Sequence, residues 1–227
     1  MENEQDKIAA ARERVAEIAS EHYGRGDVLG WFDALYKESA GDPEKIPWAD
    51  LEPNAYFKQW AEATGLKGDG RKAIVVGCGL GDDANYLHEL GFKVTAFDLS
   101  PTAIEWAKKL YPNEEIAFEV MNLFEPPRGW LGAFDFVLEI YTIQPLPIEM
   151  RSDAIDAVSR FVNDSGEVVV VTRGRADDEE LGDLPWPLSR KDLSRFEAND
   201  LKQVDFVIYP PENEGEADRW VVKYSRR

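Results

Sequence analysis

The sequence predicts an α/β fold: a Rossmann-like, seven-stranded, mostly parallel sheet with helices on both faces and an antiparallel hairpin at the C-terminus. Three observations carry that expectation. Short apolar runs alternate with helix-like segments between residues 72 and 172, the mark of strand-helix-strand crossovers. The first run, Ala73–Val76, opens into Gly77-Cys-Gly-Leu-Gly81, a turn where glycine lets the backbone bend sharply and lets a ligand touch the main chain. Near the C-terminus the alternation stops, and two strand-like segments follow with only turn residues between them.

Taken in order, residues 3–22 form an amphipathic helix, with Ile8, Ala11, Val15, Ile18 and Ala19 at helical spacing and Gly24 and Gly26 ending it. An aromatic-rich segment, Val28–Tyr36, and a loop ending Lys45-Ile-Pro-Trp48 follow. Pro53 is expected in the first turn of a helix over 53–64, where its missing N–H costs nothing. The repeating unit then runs as a strand at 73–76, a helix at 83–90 stopped by Gly91, and a strand at 92–97. Ser100 caps a helix to about residue 110, with Pro101 at its first position. Strands at 116–120 and 133–140, a helix at 147–161 and the β-branched strand 167–172 complete the alternation. A long loop, 174–188, carries the acidic run Asp177–Glu180 and the stiff Pro185-Trp-Pro187. Segments 201–209 and 219–224 should pair as the antiparallel hairpin.

Ligands of open parallel sheets sit beyond the carboxyl ends of the strands. Four strand ends here carry special residues: Gly77, Asp98, Asn122 and Glu139. Asp98 lies about twenty residues past the first glycine, where a carboxylate holds ribose hydroxyls in nucleotide-binding units. Ser100 already supplies the helix cap, which leaves Asp98 for a ligand. Asn122 offers a donor and an acceptor to an adenine edge, with the backbone N–H of Leu123 beside it; an Asx turn before Pro126 is the alternative. The third glycine is Gly81, whereas a dinucleotide fingerprint needs its third glycine at 82, occupied by Asp82.

Val75-Val-Gly-Cys-Gly-Leu-Gly-Asp-Asp83 resembles the first motif of class I S-adenosylmethionine-dependent methyltransferases, in particular the Val-Pro-Gly-Cys-Gly-x-Gly-x-Asp of the thiopurine and halide/thiol group. Ala96-Phe-Asp-Leu-Ser-Pro-Thr-Ala-Ile-Glu-Trp106 and Phe134-Asp-Phe-Val-Leu-Glu139 resemble the group's second and fourth-strand motifs. The resemblance covers roughly residues 28–227. It implies S-adenosyl-L-methionine as cofactor, held by Trp31, Trp48, Gly77, Cys78, Gly79, Asp98, Leu99, Asn122, Leu123 and Glu139. The Trp31 and Ile46-Pro-Trp48 elements resemble the region where tryptophans close over that cofactor, although these aromatics would also serve to pack the N-terminal helices. Residues 1–65 are accordingly expected to form N-terminal helices and a lid, and 66–227 the cofactor-binding core of one compact domain. Glu139 would meet the amino group of the methionine tail. Phe32, Tyr141, Arg173 and Trp186 are the expected acceptor-side residues. Departures are Val76 for a common proline, Asn122 for a common aspartate, and Ile140-Tyr141 where thiopurine enzymes carry a charge, which counts against a thiopurine acceptor.

The expected activity is methyl transfer to a small-molecule acceptor, with a thiol or other soft nucleophile as the candidate. A nicotinamide-dependent reductase and a non-catalytic S-adenosylmethionine binder are the alternatives; the first predicts glycine or alanine at position 82. No catalytic residue is assigned, Tyr141 and His22 being the candidates should a base be needed. No side-chain cluster has metal-ligand spacing. The 44 acidic against 26 basic residues, a net charge of −18, argue against nucleic acid or membrane partners and mildly against anionic acceptors. A single cysteine, Cys78, and the absence of an apolar run or signal pattern lead to the expectation of a cytoplasmic protein.

Overall fold

The structure, a computed structural model, describes residues 4–182, 184–211 and 216–226. Helices α1 (Glu4–Gly24), α2 (Trp31–Ser39) and α3 (Ala55–Thr64) precede the sheet. The alternation follows as β1 (Lys72–Val76), α4 (Asp82–Glu89), β2 (Lys93–Asp98), α5 (Pro101–Leu110), β3 (Ala117–Val120), β4 (Phe134–Ile140), α6 (Ile148–Ser159) and β5 (Val162–Arg175). A two-residue strand β6 (Leu188–Ser189), helix α7 (Arg190–Ala198) and strands β7 (Leu201–Tyr209) and β8 (Arg219–Arg226) complete the chain.

The sheet order is β3-β2-β1-β4-β5-β8-β7. The first five strands run parallel, and β8 lies antiparallel between β5 and β7. The seven-stranded path with its terminal hairpin is therefore the one expected, with β6 adding a short parallel pairing beside the end of β5. Strand residues alternate between two cores because their side chains point to opposite faces. Ile74, Val76, Val137, Val168, Val170 and Val222 pack with Ala154, Ile155, Leu193 and Phe196 of α6 and α7. Ala73, Val75, Phe136, Leu138, Val169 and Val171 pack with Phe57, Trp60, Leu87 and Ile104 of α3, α4 and α5. Covering both faces is what makes these strands read as unbroken apolar runs. A third cluster joins Val15 and Ile18 of α1 and Trp31, Leu35 and Tyr36 of α2 to Leu80 and Ala103, seating the N-terminal helices beside the glycine turn.

Two expectations need correction, and one element had no expectation. Pro53 lies outside α3: Asn54 is the cap, its side chain accepting the Phe57 N–H at 3.1 Å, so the amide side chain sets the start of the helix. The last parallel strand extends from residue 162 to 175, well beyond 167–172. The segment after the long loop holds α7, opened by a capping box in which Ser189 and Asp192 satisfy each other's backbone N–H groups. Only Leu193 and Phe196 of that helix are buried, too few to write a visible period into the sequence.

Candidate active site

The order β3-β2-β1-β4-β5 reverses direction between β1 and β4, and a crevice opens at that switch point. There the chain leaves β1 through Gly77 at φ +59° and enters α4 through Gly81 at φ +92°. A Cβ on Gly77 would stand 2.4 Å from Thr142 Oγ1, and one on Gly81 would stand 2.8 Å from the Phe118 ring. Both positions thus need glycine for backbone angle and for space. Thr142 closes the other side by donating its hydroxyl to the Val76 carbonyl at 2.9 Å.

Asp98 ends β2 buried beside this turn. Its Oδ2 accepts the Gly79 N–H at 3.0 Å and its Oδ1 the Ser100 N–H at 2.8 Å. A carboxylate has about four lone-pair sites, so two backbone donors leave acceptor capacity facing the crevice. Burial pushes the Asp98 carboxyl up from its ordinary value, opposed by those N–H donors. The Cys78 thiol is also pushed up, by burial first and by Asp98 next, and so stays protonated. Asn122 makes the Asx turn, its Oδ1 accepting the Phe124 N–H at 3.0 Å, while still lining the crevice with Leu123. The turn uses the carbonyl and leaves the amide NH2 as a donor.

Glu139 behaves differently from its expected role. It is fully buried, 0 % exposed, and does not line the cavity. Its Oε1 accepts the N–H groups of Thr142 at 2.6 Å and Ile143 at 3.0 Å, and so shapes the turn after β4; Oε2 has no partner among the described residues. Burial lifts its carboxyl to about 7. Tyr141, inside that turn, has φ +56°, an unusual backbone state for an aromatic residue.

The N-terminal helices wall the opposite side. Trp31 stacks on Phe32 at 3.9 Å and meets Trp48 edge-on at 6.3 Å. Trp48 is 39 % exposed, and its indole N–H donates to the Tyr36 hydroxyl at 2.8 Å. Asp33 ties α2 to the start of α5: its Oδ1 accepts the Ser100 hydroxyl at 2.7 Å and the Thr102 N–H at 3.2 Å. Burial opposes its charge, but Lys37, Ser100 and Thr102 hold its carboxyl down at about 2.

These elements enclose a cavity of about 390 Å³, within the range of small-molecule sites. It brings together Trp31, Trp48, Gly77, Cys78, Gly79, Asp98, Leu99, Asn122 and Leu123, with Phe32, Tyr141 and Arg173. Trp186 stays out of the lining: its N–H donates to the Gln144 carbonyl and its carbonyl accepts from Arg151, so it fastens the loop while Leu184 and Pro185 reach the cavity. His22 is also outside, paired with Asp27 at 2.9 Å. Lining residues that the sequence does not single out include Tyr36, Asn54, Gln144, Arg12 and Arg219. They come from α1, α2, the cap of α3, the connection after β4 and β8, and no local motif marks them.

The residues present suit S-adenosylmethionine: a glycine cradle that a Cβ would fill, a buried carboxylate with spare acceptor sites, and an indole pair beside it.

Comparison with known proteins agrees. Residues 73–166 match the family profile described as a methyltransferase domain. A 2-heptyl-1-hydroxyquinolin-4(1H)-one methyltransferase of Mycobacteroides abscessus is 26 % identical over 170 residues, covering 71 % of this chain and 72 % of that protein. Among solved structures, the N-methyltransferase NodS of Bradyrhizobium japonicum with S-adenosyl-L-homocysteine superposes with a TM-score of 0.66 at 17 % identity, over 85 % of this chain and 96 % of that one. A 1,6-didemethyltoxoflavin-N1-methyltransferase of Burkholderia thailandensis superposes with a TM-score of 0.59 at 16 % identity, over 96 % of this chain and 88 % of that one. With the glycine turn, the strand-end acid and this sheet order in one molecule, the chain carries a methyltransferase domain and is an S-adenosylmethionine-dependent methyltransferase.

Proposed function

We propose that the cavity binds S-adenosylmethionine through the glycine turn, Asp98 and Asn122-Leu123, and passes its methyl group to a small acceptor that arrives already ionised, a thiolate or an acidic hydroxyl. The observation that carries this reading is the meeting of three strand ends on one cavity: the Gly77–Gly79 backbone, the Asp98 carboxylate and the Asn122 amide. Asp98 would accept the ribose hydroxyls, and the Asn122 amide with the Leu123 N–H would meet the adenine edge. Trp31 and Trp48 would cover the cofactor, with residues 1–65 as the lid. Phe32, Tyr141 and Arg173 would line the acceptor side.

Bound S-adenosylmethionine would supply a methyl group already activated by the sulfonium. The chain's share is then to align, to exclude water and to hold the acceptor at an approach of roughly 3 Å. Among the described residues no histidine lines the cavity. The Tyr141 phenol is pushed up by burial, although Arg219 and Arg173 counter that, so at neutral pH it donates hydrogen bonds and takes no proton. Both facts favour an acceptor that needs no base. The likeness to the thiopurine and halide/thiol group favours sulfur, and the hydroxyquinolone in the relative's name favours an acidic hydroxyl. Glu139 acts here through the Ile140–Thr142 turn, which it holds in shape.

Calorimetry followed by an acceptor panel tests the reading. The protein should bind S-adenosylhomocysteine, and thiols or acidic hydroxyls should yield S-adenosylhomocysteine faster than small amines or iodide. Tight binding of NADPH with no binding of either adenosyl compound would replace it with the reductase alternative.

A further inference from the structure

In a chain with a net charge of −18, a knot of guanidiniums inside a cavity is unexpected. Arg173 near the end of β5 and Arg219 at the start of β8 are directly opposite partners in the antiparallel ladder. Arg12 approaches from α1, and all three line the cavity. Like charges placed opposite one another weaken a strand pair. Glu216 answers two of them: it accepts from Arg219 Nη2 at 2.6 Å and pairs with Arg12 at 3.7 Å. Arg219 also donates to the Ala217 carbonyl. Arg173 has no such close partner: among the described residues its guanidinium makes no hydrogen bond or ion pair, and Glu216 acts on it only at longer range. Burial lowers its pKa and Arg219 and Arg12 lower it further, while Glu216 and Tyr141 offset this only in part.

Two further features aim this group at a ligand. The Arg173 backbone is pinned, its N–H donating at 3.0 Å to Gln144 Oε1, which also accepts the Thr172 hydroxyl at 3.0 Å. Tyr141 is held in its left-handed conformation beside the guanidiniums, its N–H donating to the Val171 carbonyl at 3.1 Å. A strained aromatic and a pinned arginine with no hydrogen-bonded acceptor among the described residues, on the same wall, are costly unless something binds there.

We propose that Arg173, supported by Arg219 and Tyr141, is an anion subsite for the methyl acceptor: the acceptor carries a carboxylate or similar delocalised oxyanion, gripped by the Arg173 fork, with its apolar body against Phe32 and Leu146. The inference rests on the methyl-transfer reading and narrows it. A planar guanidinium suits a two-oxygen anion by paired hydrogen bonds. The donor's own carboxylate is the competing source of such an anion. Arg173 is on β5, three strand spacings or about 14 Å across the sheet from β2 and Asp98. That separation places it on the acceptor side of the cavity.

The test uses the full chain saturated with S-adenosylhomocysteine and two probes of matched shape, 4-mercaptobenzoate with an anionic carboxylate and 4-mercaptobenzamide with a neutral carboxamide. The acid should bind about tenfold or more tightly than the amide. Arg173→Gln should reduce that preference to about twofold or less, and Arg173→Lys should restore part of it. Neither change should alter the affinity for S-adenosylhomocysteine, and unchanged thermal midpoints would show that both variants fold. Equal binding of acid and amide, or binding of neither, overturns the proposal. So does weakened S-adenosylhomocysteine binding by Arg173→Gln, which would assign the guanidinium to the donor. Wild-type protein that binds no S-adenosylhomocysteine would instead remove the methyl-transfer reading itself.

Discussion

Asp98 has two tasks in the proposed reading, one structural and one toward the cofactor. It ties Gly79 to Ser100 through their N–H groups, which fixes the glycine turn against the start of α5. It also lines the cavity, where in the proposed reading its remaining lone pairs accept the ribose hydroxyls. Asp98→Ala should therefore weaken S-adenosylhomocysteine binding by about 2 kcal/mol or more, roughly 30-fold, on calorimetric titration. Unchanged affinity would sink the ribose assignment. Glu139 shows the opposite case, a residue at a ligand edge that serves the backbone. Its folded carboxyl titrates at about 7 against an ordinary 4.5, so between those values the folded protein holds a proton that the unfolded chain has lost. Stability should then fall as pH rises from about 4.5 to about 7 and level off above, by up to about 3 kcal/mol. Asp83, also lifted to about 7 by burial, adds to the same slope. Glu139→Gln keeps the Oε1 acceptor and removes the titration. Its urea midpoint should vary less with pH across this window, and a slope equal to wild type would assign the effect elsewhere.

At the level of elements, the parallel strands were legible because burial on both faces writes them as runs of consecutive apolar residues. The glycine turn was legible because its backbone angles admit little else. Helix α7 was not, since two buried side chains leave no period and its start is marked only by Ser189 and Asp192. That cap should matter to the fold more than to the cofactor. Ser189→Ala should cost about 1 kcal/mol of stability on denaturant unfolding, with S-adenosylhomocysteine binding retained. A loss of affinity together with unchanged stability would show that the β6 region touches the site. The start of α3 has the same lesson: proline at the head of an apolar stretch suggested N1, but the side chain able to take an N–H, Asn54, sets the boundary.

For the whole molecule, long-range contacts tie the N-terminal segment to the sheet edge: Asp33 to Ser100, and Asp83 to the Asn54 N–H at 2.8 Å, while Trp48 to Tyr36 fastens that segment to itself. If residues 1–65 act as a lid, cofactor should quiet the exposed link between α2 and α3. Tryptic cleavage after Lys45, which is exposed, should slow about fivefold or more in saturating S-adenosylhomocysteine. An unchanged rate would leave these helices a fixed wall. Among the described residues no helix is long and apolar enough to cross a membrane. The acidic balance of the surface and the arginine cluster of the cavity coexist because the field at a site is set by nearby, poorly solvated charges, while distant surface charges are screened over about 10 Å.

The sequence by itself determined the sheet, its ligand edge and the class of methyl donor, because strand burial, glycine turns and strand-end acids are written in consecutive residues by short-range backbone physics. Only the tertiary structure decided that Glu139 faces inward to hold a turn, that Trp186 stays out of the cavity, and that Arg12, Arg173 and Arg219 converge beside Tyr141. Those placements depend on packing between helices and strands far apart in the chain, where no spacing rule links one residue to the next.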